Sequence, residues 1–259
     1  MVPSACNMLY IPTMALFATL TAYANPKRFL DLSQRLLPWL GISAALLLVL
    51  GFYWSLFATP PDYQQGQTVK IMFVHVPAAW LSMFAYGCMA GASVTGLVWK
   101  HPLADHAAKA AAPIGAAFTA LALVTGSLWG KPMWGTYWEW DARLTSELIL
   151  LFLYFGYIAL WDAIEDPGRA ARAAAVLAIV GAVNLPIIHF SVDWWTTLHQ
   201  PSSILRSGGV SIDGSFLRPL AVMALGYTLL FFWLWLIRIR TEILNRRARN
   251  LMLMKGAQT

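Results

Sequence analysis

The chain has 259 residues, 59% of them hydrophobic and only 12% charged, against roughly 25% charged in an ordinary soluble domain. No soluble single domain of this length buries so much apolar surface; two cysteines, Cys6 and Cys88, exclude a disulfide scaffold, and 14% aromatic content excludes a disordered chain. What is left is an all-α, polytopic integral membrane protein, in which the formal charge of +6 is a topology signal and calls for no nucleic-acid partner.

Residues 1–26 carry no charge and hold an apolar run from Cys6 to Ala24 broken by Pro12. No basic region opens it, as a secretory signal requires, although Ala22-Tyr23-Ala24 looks like a cleavage site. This stretch is expected to be an N-terminal extension, either from an upstream start, with Met14 as an alternative start, or a frayed segment. Six transmembrane helices then follow at about 38–57, 71–99, 107–129, 144–161, 170–192 and 216–237, each long enough for a hydrocarbon core of about 30 Å. The second is too long for a straight perpendicular span and should tilt or project. Residues 27–245 make up this six-span domain, and 246–259 a tail. Of the 18 Lys and Arg, 13 lie in the N-terminal stretch, loops 100–106 and 162–169 with the helix starts after them, and the C-terminal run; five lie on the other side. That asymmetry puts both termini in the cytoplasm and loops 58–70, 130–143 and 193–215 outside.

The outer face concentrates tryptophan. Seven of the 13 Trp fall at or beyond the outer span ends, four of them in Trp129-Gly-Lys-Pro-Met-Trp134-Gly-Thr-Tyr-Trp138-Glu-Trp140-Asp141-Ala-Arg143. An interfacial belt explains a lone Trp at this depth, but it needs neither close spacing nor embedded charges. The other reading is a flat hydrophobic platform for a planar aromatic ligand, with Gly130 and Gly135 allowing close backbone approach. Arg143 then either meets a ligand carboxylate or pairs locally with Asp141 or Glu147. His75, about one turn into the second span, and His199, just after the fifth, flank this segment at one depth. Neutral imidazoles from two sides can supply both axial ligands of an iron porphyrin. His189, near Pro186, is expected to make a structural hydrogen bond.

Other signals are weak or absent. Gly87-Cys-Met-Ala-Gly91 matches a small-xxx-small helix contact. There is no phosphate loop, no Cys-x-x-Cys-His for covalent heme, and no triad order. The basic run 238–249 reads as a topology anchor beside anionic lipid, or a dock for a cytoplasmic partner.

The stretch from Trp134 through Asp141-Ala-Arg143-Leu-Thr-Ser-Glu-Leu resembles the tryptophan-rich "WWD" signature of heme-handling membrane proteins. Within that group the chain is similar to the heme exporter protein C (cytochrome c maturation protein C) family. Asp62-Tyr-Gln-Gln-Gly66, His75-Val-Pro-Ala-Ala79, Gly126-Ser127 and Asn184-Leu-Pro-Ile-Ile-His189 through Leu198-His199-Gln200 carry the same likeness, over about residues 27–245. The resemblance implies heme b, transiently bound at the periplasmic face of the bacterial inner membrane. His75 and His199 correspond to its axial ligands, and Trp129, Trp134, Trp138, Trp140, Asp141 and Arg143 fall in its Trp-rich segment. It implies delivery to a periplasmic heme chaperone (cytochrome c maturation protein E), with the ABC-transporter subunits CcmA and CcmB and the small membrane protein CcmD as partners. The covalent bond would form on the chaperone, so the chain is read as a delivery protein with no catalytic residues of its own. Two departures are the N-terminal extension and a tyrosine, Tyr137, in place of another aromatic. The rival readings are a b-type cytochrome subunit for electron transfer, a cofactor-free transporter, and a cytochrome c synthase.

Overall fold

The computed structural model describes residues 25–199 and 209–256, so the expectations for residues 1–24, Gln200 and the last three residues lie outside it. The described residues are all-helical, and six helical segments are long and apolar enough to cross a membrane. They contain seven α-helices: α1 (Pro26–Tyr53), α2 (Met72–Trp99), α3 (Ala104–Trp134), α4 (Ala142–Ala163), α5 (Pro167–Gly181), α6 (Asn184–Trp194) and α7 (Gly214–Gly256). A π-turn (Trp54–Ala58) ends α1 and a 3-10 turn (Gln67–Ile71) leads into α2. The helices α5 and α6 together make the fifth candidate span.

Local sequence sets several of these ends. Asn25 caps α1, its side chain accepting from Lys27 N at 2.9 Å with proline next, where the missing N–H has no intrahelical partner anyway. Asp166 followed by Pro167 repeats the device at α5. The break between α5 and α6 falls at Ala182–Val183, not at Pro186. Pro186 sits in the first turn of α6, where the absent N–H costs little. At its start α1 runs about a dozen residues ahead of the apolar stretch, and α7 continues as one helix through the basic run. At about 1.5 Å per residue, its 43 residues exceed a hydrocarbon core of about 30 Å twofold.

The hairpin α2–α3 is the centre. The pair α1–α7 lies on one side of it, and α4 with α5 and α6 on the other. The core holds Phe73, Leu81, Met89, Leu150, Met223 and Phe231 with a set of alanines on α3 and α5. Lipid tails compete with these residues as apolar company, so close packing and internal polar contacts must hold the helices together. Small residues allow the approach: a methyl at Gly115 would sit 2.1 Å from the Tyr154 ring and hydroxyl. Tyr154 Oη donates to Ser82 O at 2.7 Å, Asn184 Nδ2 to Ser146 O at 2.8 Å, and Trp235 Nε1 to Ala107 O at 2.8 Å. At the end where α1 starts and α7 finishes, Arg240 binds Leu30 O and Ser33 Oγ, clamping α7 to α1, and Lys109 pairs with Glu242 at 3.0 Å. By contrast Gly87 and Gly91 meet nothing within 4 Å, so that small-residue motif packs against no described helix of this chain.

Gly115→Ala should therefore destabilise the bundle by about 1–3 kcal/mol, the usual range for overpacking a tight contact. Gly91→Ala should be neutral. Thermal unfolding of the detergent-purified variants measures the difference.

Candidate functional site

The site is built at the end of the bundle opposite the start of α1 and the end of α7, where α2 begins, α3 ends, α4 begins and α6 has just finished. Its first part comes from the loop before α2. Asp62 and Gly66 exchange backbone hydrogen bonds, and Gly66 takes φ 57°, a conformation that a side chain disfavours. The turn presents Gln65, whose Oε1 accepts from Trp129 Nε1 at 2.9 Å. Lys70 Nζ donates to Leu56 O at 2.6 Å and ties the same loop to the end of α1.

His75 lies in the first turn of α2 and faces α3. Its Nδ1 is 3.0 Å from Ala122 O and 3.2 Å from Thr125 Oγ1. A carbonyl oxygen can only accept, so Nδ1 carries the proton and Nε2 keeps its lone pair. The ring reaches α3 because residue 126 is glycine: a Cβ there would lie 3.0 Å from His75 Cε1.

The helix α3 runs five residues past Trp129 before Gly135, at φ 79°, closes it through a bond from Gly135 N to Lys131 O at 3.0 Å. Trp129 and Trp134 thus stand on the last turns of a helix, with centroids 5.1 Å apart and rings at 85°. Trp138 and Trp140 follow in the connection at 5.4 Å and 78°. The rings form a walled corner of edge-to-face pairs and not the expected flat platform, since the aromatic quadrupole favours such crossings over coplanarity. Trp140 is 74% exposed. The indole N–H of Trp138 is buried and has no acceptor among the described residues.

Asp141 joins two parts of the site. Its Oδ1 caps α4 by accepting from Leu144 N at 2.8 Å, and its Oδ2 lies 2.9 Å from His199 Nδ1. The carboxylate accepts, so His199 too is protonated on Nδ1 and presents an unprotonated Nε2. The side chains of His199 and Asp141 are only 17% and 6% exposed. Burial holds the His199 pKa below its ordinary value, against the upward pull of Asp141, which keeps the ring neutral. Trp134 packs edge-on to the same imidazole at 5.0 Å. His199 and Arg143 both lie close enough to His75 to act on it electrostatically, so the two histidines and the arginine share one site.

Arg143 forms neither of the local pairs open to it in the sequence. Asp141 is engaged as described, and Glu147 is bound to Ser82 Oγ at 2.7 Å. Ser82 Oγ is also 2.7 Å from Ala79 O, and one hydroxyl proton cannot serve both. The half-buried guanidinium of Arg143 has no ion pair or hydrogen bond among the described residues, though Glu147, Asp141 and Asp193 surround it. His189 is exposed and touches the edge of Phe190 at 4.7 Å; it makes no hydrogen bond among the described residues, contrary to expectation. The carbonyl of Ala122, Thr125 and Gln65 were not identified from the sequence; the glycine at 126, one turn before Trp129, is the one local mark of the His75 contact.

The fold defines the class, a polytopic membrane protein, and at one end of its bundle stand two histidines protonated on Nδ1, edge-to-face tryptophan pairs and a guanidinium without an ion pair among the described residues. Comparison with known proteins narrows this. The family described as heme exporter protein C matches residues 19–254. A heme exporter protein C from Bradyrhizobium diazoefficiens is 66% identical over 93% of this chain and 91% of its own length. Its counterparts from Escherichia coli K12 and Paracoccus denitrificans are 51% and 46% identical over 91% and 89% of this chain, and 95% of their own lengths. The chain belongs to the heme exporter protein C family.

Asp141→Asn tests the tautomer directly. The one amide oxygen would still cap Leu144 N, so the helix start survives. The NH2 would then face His199 Nδ1 and drive the proton to Nε2. Imidazole nitrogen NMR should report Nδ1–H in the wild type and Nε2–H in the variant, with unchanged melting.

Proposed function

We propose that this protein binds heme at the periplasmic face of the bacterial inner membrane and delivers it to a periplasmic heme chaperone for c-type cytochrome biogenesis. The observation that carries the reading is the paired commitment of Nδ1. Ala122 O and Asp141 Oδ2 each hold one, leaving two neutral Nε2 atoms to take the heme iron from opposite sides. Heme b supplies the planar macrocycle, the iron and two propionates. Arg143, without an ion pair or side-chain hydrogen bond among the described residues, pairs with a propionate through its planar fork. The orphaned Trp138 N–H matches a carboxylate oxygen at the same edge. Trp129 and Trp134 wall the macrocycle, and the exposed Trp140 lies where the chaperone must approach.

The chaperone is cytochrome c maturation protein E, and CcmA, CcmB and CcmD are the membrane partners of the same system. The relatives' shared name, heme exporter protein C, supports a part in heme export, and these partners rest on the family resemblance. The covalent bond forms on the chaperone, so this chain's part is to bind, orient and release. The excess of basic residues at the terminus-bearing end supports a periplasmic location for the site.

The test is the absorption spectrum of the detergent-purified protein, co-expressed with the chaperone. A Soret band is expected in the wild type and in His189→Ala, and it should weaken or shift in both His75→Ala and His199→Ala. Gly126→Ala, whose methyl crowds the His75 ring, should lose most of the band while the protein still inserts. A band indifferent to both ligand substitutions would return the tryptophans to an interfacial belt and reopen the transporter reading.

A further inference from the structure

The opposite end of the molecule holds a cavity of about 300 Å³ that the heme reading does not use. Its polar lining is His106 from α3 and Arg246, Arg247 and Asn250 from α7, and its apolar wall is Pro26, Pro102 and Ile243. Two guanidiniums, an imidazole and an amide offer donors in abundance, and no carboxylate among the described residues lines the space.

The nearby acids are turned elsewhere. Glu242 precedes Arg246 by four residues, the spacing of a helical ion pair, yet its Oε2 is bound to Lys109 at 3.0 Å. Asp105 points its Oδ1 at Gly96 of α2, 2.7 Å from where a Cβ would sit. Arg246, Glu242, Asp105 and Lys109 are the charged groups that act on His106. Arg246 and Arg247 form no ion pair among the described residues. The N-terminus of α1 also opens here, with no acidic side chain in its first turn, and its dipole adds positive potential.

We propose that this cavity binds the phosphate group of an anionic phospholipid. Depth favours a lipid over a soluble anion. The Lys109–Glu242 pair closes the apolar stretch of α3, and His106 and Arg246 lie three and four residues further out along their helices. At about 1.5 Å per residue that is about 5–6 Å, the thickness of one headgroup layer. The mixed lining agrees: the guanidiniums take the phosphate oxygens, and Pro26, Pro102 and Ile243 face the glycerol backbone. A bound lipid would knit the starts of α1 and α3 to the basic end of α7.

The test titrates short-chain phosphatidylglycerol, phosphatidylcholine and inorganic phosphate against the full chain in neutral detergent. Phosphatidylglycerol should saturate one site and phosphatidylcholine should bind more weakly. Arg246→Gln with Arg247→Gln should weaken phosphatidylglycerol about twenty-five-fold, taking about fivefold for each basic side chain. Arg249→Gln with Lys255→Gln removes the same charge outside the cavity and should change little. Asn250→Glu, made at an exposed position, should also abolish binding and stands in if the double variant fails to fold. Equal weakening by both charge pairs would overturn the site in favour of diffuse attraction. Displacement by millimolar inorganic phosphate without lipid preference would overturn the lipid assignment in favour of a soluble phosphate.

Discussion

One carboxylate couples the start of a helix to a histidine 58 residues away in the chain. Asp141 places one oxygen on the first turn of α4 and the other on His199, so the orientation of the imidazole is tied to the geometry of the helix. The rest of the site follows from that linkage. Gly135 must stop α3 in time for the chain to turn, and Trp134 must end where it can pack against the same ring. Changes between Trp134 and Asp141 therefore act on the placement of the His199 ring through these contacts.

The two histidines are fixed by different physics. His75 is held by a backbone carbonyl and a hydroxyl in the middle of a helix, with a glycine cut away to admit its ring. His199 is held by a carboxylate at a helix start. A carbonyl is a weaker acceptor than a carboxylate, so the two imidazoles differ in basicity. On the proposed reading, two ligands of unequal strength suit a site that must surrender its heme, because release can begin at the weaker bond.

Much of the frame was legible because it depends on local composition. Six apolar stretches and the spacing of charges mark six helices, and the WWD stretch with His75 and His199 carries the family. What was not legible depends on contacts between distant residues. The carbonyl of Ala122 has no side-chain signature, and 47 residues separate it from His75. The nearest partners for Arg143 along its own helix were Asp141 and Glu147, but Ser82, on another helix, takes Glu147 instead. Nor does hydropathy see helix ends beyond the bilayer: α1 and α7 extend because Arg240 and Glu242 bind neighbouring helices, contacts that replace the support of lipid.

Placement at the end of the bundle, away from its interior, bears on function. A ligand enclosed between helices exchanges only if the bundle opens, which costs packing on every helix concerned. Here the walls are helix ends and connections, Trp140 is exposed, and Arg143 has no ion pair among the described residues to regain or lose. On the proposed reading, heme could leave without breaking a single contact between spans. The contacts between spans, Tyr154 to Ser82 and Asn184 to Ser146 among them, join other residues than the proposed heme ligands. On that reading loading and release need not touch them, and a bundle open at one end is the arrangement that would let one molecule deliver many times.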